Sequence, residues 1–86
     1  KTPNEIAKEL VEKIKQQRKK LKISQMQLAS KSGVSLGSIK RFESKYEISL
    51  ASFIKILIAL NLERDLENLF TQKNYTSIDE VINGQL

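Results

Sequence analysis

With 86 residues the chain has room for one domain, near the lower size at which a core sustains itself, and this excludes a second independent domain. It has 15 Lys and Arg against 10 Asp and Glu, no His and a net charge of +5. It also has no Cys, which excludes disulfides, thiolate nucleophiles and thiolate zinc clusters. Residues 1–62 hold 13 of the basic groups and half of the acidic ones, so a positive body precedes a mildly negative tail. That balance suits a polyanionic partner, nucleic acid ahead of anionic membrane, although a solvated surface can be basic without any partner. No signal peptide is visible, and no run approaches the ~18 apolar residues of a membrane span. The longest apolar run, Phe53 to Leu62, is broken by Lys55 and Asn61, and the chain begins at Lys1, which leaves room for residues upstream. The absence of Cys fits a cytoplasmic location.

Helical periodicity dominates the chain. Residues 4–20 place Ala7, Leu10, Ile14 and Leu21 on one stripe, with Ile6 and Val11 beside it and charged residues opposite. Pro3 stands just ahead of this helix, and Lys15, Arg18, Lys19, Lys20 and Lys22 gather at its negative end. Ser24 with Gln27 is the S-x-x-Q form of a capping box and opens a second helix with Leu28 and Ala29 inward, stopped by Gly33. Ser35 with Ser38 opens a third, 35–43, with Ile39 and Phe42 inward and Val34 packed ahead of it. Only Gly33, Val34 and Ser35 separate the two, which forces a tight helix-turn-helix corner.

Residues 44–48 read as a loop, and Ser49 caps a fourth helix to about Leu60. Leu50, Phe53, Leu57 and Leu60 form its stripe, while Ile54, Ile56, Ile58 and Ala59 leave little polar surface, so burial on most sides is expected. Asn61 ends it, and Glu63 to Phe70 reads as a fifth helix with Leu62, Leu66, Leu69 and Phe70 inward. After a polar TQKNY linker, Ser77 and Glu80 cap a last turn carrying Ile78, Val81 and Ile82, ended by Gly84. The expected architecture is all-α: a compact five-helix domain over 4–70 with a C-terminal extension over 71–86.

The third helix presents Ser35, Leu36, Gly37, Ser38, Lys40 and Arg41 outward or ahead of it, all small, apolar or basic and none acidic. The major groove of DNA admits a helix, and bulky or acidic groups on its leading turn would clash with the groove or with phosphate. Arg41 has the reach for a guanine edge or a phosphate, Leu36 can touch a thymine methyl, and Gly37 either permits close approach or is an ordinary exposed position. Gln25 sits in the first turn of the second helix, whose free N–H groups suit a phosphate. Ser24 reads as a cap, and Gln27 is divided between closing that cap and touching backbone. Lys40, Ser44, Lys45 and Tyr46 are candidate phosphate contacts. Arg18 and Glu43 lie at the inward edges of their helices, where mutual pairing avoids a lone buried charge. The cluster Lys15, Lys19, Lys20 and Lys22 is either a phosphate-facing rim or a solubilising surface.

The pattern R-x(5)-S-Q-x-x-L-A-x-x-x-G-V-S-x-x-x-I-x-R-F-E, followed by I-S-L-x-x-F-x-K-I-x-x-A-L, resembles the Cro/C1-type (XRE) helix-turn-helix family from about Lys8 to Phe70. The resemblance implies a five-helix DNA-binding domain, usually a homodimer that represses or activates transcription at an inverted repeat. It also implies that Gln25 meets phosphate, that Ser35, Leu36, Gly37, Ser38 and Arg41 read bases, and that Arg18 and Glu43 form a buried bridge. Two departures stand out. The turn glycine usual after E-N/Q is replaced by Ser44-Lys45-Tyr46-Glu47, which leaves the loop path open, and Leu36 and Gly37 stand where hydrogen-bonding side chains are frequent. The S-I-K-R-F-E and E-I-S-L pieces also resemble antitoxins paired with HipA-like kinase toxins.

The expected partners are double-stranded DNA, a second copy of the chain and, in the antitoxin case, a protein toxin. Neither a membrane nor a cofactor nor a metal is expected. Ile54, Ile58, Leu66, Phe70, Ile78, Val81 and Ile82 are candidate dimer or partner material, and Ile54, Ile56 and Ile58 can equally close the chain's own core. With no His or Cys, no nucleophile–base pair suggests an enzyme.

Overall fold

The structure, a computed structural model, describes residues 1–71. Every regular element among them is a helix: α1 (Pro3–Lys20), α2 (Gln25–Ser32), α3 (Leu36–Lys45), α4 (Leu50–Ala59) and α5 (Glu63–Glu67). The linker beyond Thr71 and the turn carrying Ile78, Val81 and Ile82 lie outside the described residues.

Each of the first four helices starts on a hydroxyl cap. Thr2 Oγ1 accepts from the Glu5 N–H while Glu5 takes the Thr2 N–H, and Ser24 and Gln27 exchange the same pair of bonds. Ser35 accepts from the Ser38 N–H and Ser49 from that of Ser52. Each cap satisfies a backbone donor that the helix itself leaves unpaired. Gly33 stops α2 at φ +80, and only Gly33, Val34 and Ser35 join it to α3. That short connection turns α3 across α2 as the spacing predicts.

The core is Val11, Ile14, Leu28, Val34, Ile39, Phe42, Ile56, Leu57, Ala59 and Leu60, with Phe42 and Phe53 edge to face at 6.0 Å. α2 packs on both α3 and α4, and the amide of Gln17 reaches across from α1 to the Leu60 carbonyl at 3.2 Å.

Several expectations are corrected. α1 buries Val11, Ile14 and Arg18, but Ile6 and Leu10 are exposed, Leu10 by 47%. At 1.5 Å per residue its 18 residues span about 27 Å, which the 10-residue α3 packed on it cannot cover. α4 is not enclosed on most sides. Ile56 and Leu57 face the core, whereas the i, i+4 row Leu50–Ile54–Ile58 lies along the outside, with Leu50 71% and Ile58 52% exposed and Ile54 half-buried. α3 starts one residue later than expected and runs on to Lys45, so the loop is only 46–48. α5 stops at Glu67 instead of Phe70: Leu62 and Leu66 pack on the core, but Leu69 and Phe70 face outward, Phe70 by 78%. A five-residue helix with no side-chain cap has about one turn to bury, and Leu62 and Leu66 are the residues that it and its start pack on the core.

Candidate nucleic-acid interface

α3 is amphipathic with a sharp division. Ile39, Phe42 and Glu43 are buried, and the rows Leu36–Lys40–Ser44 and Gly37–Arg41–Lys45 lie on the opposite face. Those rows carry three cations and no carboxylate. Leu36 is half-buried; Gly37, Lys40, Arg41, Ser44 and Lys45 are exposed. A Cβ added at Gly37 would meet nothing within 4 Å, so no contact inside the protein requires glycine there.

Ser35 and Ser38 are less available than their sequence positions suggest. Ser35 caps the helix and its hydroxyl lies 2.9 Å from that of Ser38, so each satisfies part of the other's capacity. Ser44 donates back to the Lys40 carbonyl at 2.8 Å, a bond within its own helix. Tyr46 is half-buried against the core and ends α3 in the left-handed region at φ 61, its N–H donating to the Phe42 carbonyl. Tyr46 therefore takes the turn conformation for which glycine is usual.

The structure brings Arg18 and Glu43 together in the interior, 8% and 6% exposed. Arg18 Nε donates to Glu43 Oε2 at 2.8 Å and Nη2 to Oε1 at 3.0 Å, a bidentate pair, while Nη1 donates to the Ile23 carbonyl at 2.9 Å. Gln25 Nε2 donates to the same Oε1 at 2.9 Å. Burial alone pushes the Glu43 carboxyl up, but hydrogen bonds from Arg18 and Gln25 and the charges of Arg18 and Lys15 outweigh it, and its pKa lies below the ordinary value. No buried side-chain polar atom among the described residues lacks a partner.

This cluster ties α1, the turn after it, the first residue of α2 and the interior of α3 at one point. It ties the N-terminus of α2 to the inward face of α3. The sequence suggests a phosphate contact for Gln25 and does not reveal its place in the cluster, because a residue one place after a cap is not on a helix's inward stripe. Gln27 likewise spends its Oε1 on closing the cap.

A second contact was missed. Arg41 Nε and Nη2 donate to Glu47 Oε1 at 3.1 and 2.8 Å. Six residues apart, these two are no helical pair, and only the left-handed Tyr46 folds Glu47 back beside α3.

Of the candidate dimer residues, Leu66 packs on the chain's own core, whereas Ile54, Ile58 and Phe70 do not. Among the described residues no group of Asp and Glu could hold a metal ion, and no helix is long and apolar enough to cross a membrane.

A helix-turn-helix family model matches residues 14–66, more than half of the chain and all of α2, α3 and α4. No curated protein and no solved structure matches it. The capped α2, the left-handed Gly33, the three-residue turn and the carboxylate-free face of α3 all lie inside that span, and the chain belongs to the Cro/C1-type (XRE) helix-turn-helix family of DNA-binding regulators.

Proposed function

We propose that the protein is a homodimeric, sequence-specific repressor that reads an inverted repeat in double-stranded DNA through α3. The observation that carries this reading is the outer face of α3, three cations and small or apolar side chains, on a helix whose inward side the Arg18–Glu43–Gln25 cluster ties to the α2 N-terminus. A rigid face of that composition fits the major groove, and the adjoining N–H groups of α2 suit a phosphate.

In this reading Arg41 and Leu36 read base edges, Gly37 lets the backbone approach, and Ser35 and Ser38 contribute through whatever hydroxyl capacity their mutual bond leaves. Lys40 and Lys45 neutralise phosphates. Ser44, Gln27, Gln25 and Tyr46 lie along the same strand path, with Gln25 using its second amide hydrogen. Residues 4–70 form the DNA-binding domain, and 71–86 an extension for dimerisation or a partner. The Leu50–Ile54–Ile58 row and Phe70 support pairing with a second copy, because so much open apolar surface is costly on a small domain in water. The same row supports an alternative, an antitoxin whose outer face engages a kinase-like toxin while α3 autoregulates the operon. Either role belongs in the bacterial cytoplasm, on the nucleoid.

Selection of bound sequences from random duplex DNA tests the reading. A two-fold symmetric consensus with half-sites about 34 Å apart is expected. Enrichment of no sequence at low salt would end it. Ile58→Asp should convert a dimer to a monomer in sedimentation while leaving the fold intact.

A further inference from the structure

We propose that Glu47 is a positioning residue for base readout, holding the Arg41 guanidinium in the orientation that meets a guanine edge. The inference rests on the reading of Arg41 as a base contact. Both bonds from Arg41 run to one oxygen, Glu47 Oε1, and use the Nε and Nη2 edge of the guanidinium. Five N–H donors make up that group, so the Nη1 and Nη2 edge keeps the two parallel donors that match guanine O6 and N7.

The pair stands in the open, with side chains 67% and 61% exposed, where an ion pair adds little to stability. Its use is therefore directional. Arg41 is two-thirds exposed, and a long exposed arginine loses rotamer freedom when it docks. Glu47 removes part of that loss beforehand, and the bond strengthens when DNA expels water from the site. The carboxylate itself stands on the side of the molecule that would meet phosphate, where it is tolerable only when paired with a cation. Arg41, Glu47, Ser38 and Ile48 line one shallow depression of about 260 Å³ bordered by the start of α4.

The test uses the full chain and an operator obtained by selection, with all four base pairs compared at the position whose preference Arg41→Ala relaxes. Arg41→Ala should lower discrimination there by about 5- to 150-fold, the range for one bidentate contact. Glu47→Ala should lower it severalfold at that same position only, with thermal stability unchanged and affinity for random duplex equal or higher. Glu47→Gln keeps an acceptor oxygen and should recover part of the discrimination. Adding Glu47→Ala to Arg41→Ala should change discrimination no further. If Arg41→Ala relaxes the preference and Glu47→Ala leaves it intact, the positioning role is overturned. Equal strengthening of operator and random binding by both Glu47 variants would also overturn it, identifying a carboxylate that only competes for Arg41. If Arg41→Ala relaxes no position, the base-contact reading fails first and takes this inference with it.

Discussion

Glu43→Ala removes a carboxylate that accepts from two elements at once. Arg18 Nε and Nη2 and Gln25 Nε2 lose their acceptor together, and Arg18, 8% exposed, keeps only the Ile23 carbonyl. Breaking a buried pair by removing one partner costs about 3–5 kcal/mol, because the remaining charge is neither paired nor hydrated. A domain of this size is stable by roughly 4–10 kcal/mol, so the loss is a third of the total or all of it. With a urea slope near 1 kcal/mol/M, the midpoint followed by circular dichroism should fall by about 3–5 M, or the variant should be unfolded without urea. A fall of less than about 0.5 M would refute the assignment. Replacing both partners with apolar residues, Arg18→Met with Glu43→Leu, should recover most of the loss, since the stranded charge is gone. Acid tests the same cluster. The folded-state pKa of Glu43 lies below its unfolded value, so its contribution is complete above the ordinary carboxylate range and is lost as pH falls through the folded value. Stability should therefore drop in acid below about pH 4, and that part of the drop should be absent in the double variant.

Lys45→Ala should weaken operator and random duplex alike and reduce the salt slope by about 1, whereas Arg41→Ala should act mainly on the operator; binding isotherms at several salt concentrations separate them. Gly37→Ala should stabilise the isolated domain by about 0.5–1 kcal/mol, because nothing obstructs the added Cβ, and raise the melting temperature by several degrees. The same variant should weaken operator binding if the backbone approaches the groove at Gly37, and unchanged affinity would refute that role. Lys22 holds φ 60 on the exposed turn after α1, a conformation that costs a side-chain-bearing residue about 1 kcal/mol. Lys22→Gly should raise the urea midpoint modestly, and a lower midpoint would show that the Lys22 side chain contributes more than its backbone costs.

The helix starts were legible because capping is local: Ser24 with Gln27 and Ser49 with Ser52 need only each other's backbone. Gly33 was legible for the same reason, since a left-handed stop is a property of one residue. Inward faces were read less well. Ile6, Leu10, Leu50 and Ile58 are as apolar as the residues that are buried, and their exposure depends on where the short neighbouring helices end. The Arg18–Glu43 juxtaposition was inferred from two inward-edge charges, but the third member, Gln25, and the Arg41–Glu47 contact were not found. Both depend on chain paths that no helical period encodes.

Composition, caps and the apolar period by themselves determined an all-α chain, the helix-turn-helix corner and an outer face of the third helix with no carboxylate of its own, because each is set within a few residues. Only the tertiary structure decided that one carboxylate serves both Arg18 and Gln25, that Tyr46 folds Glu47 back onto Arg41, and that α4 leaves an apolar row open. The Arg41–Glu47 contact depends on the backbone turn at Tyr46, and the other two on distances between segments far apart in sequence, which are fixed only when the helices pack.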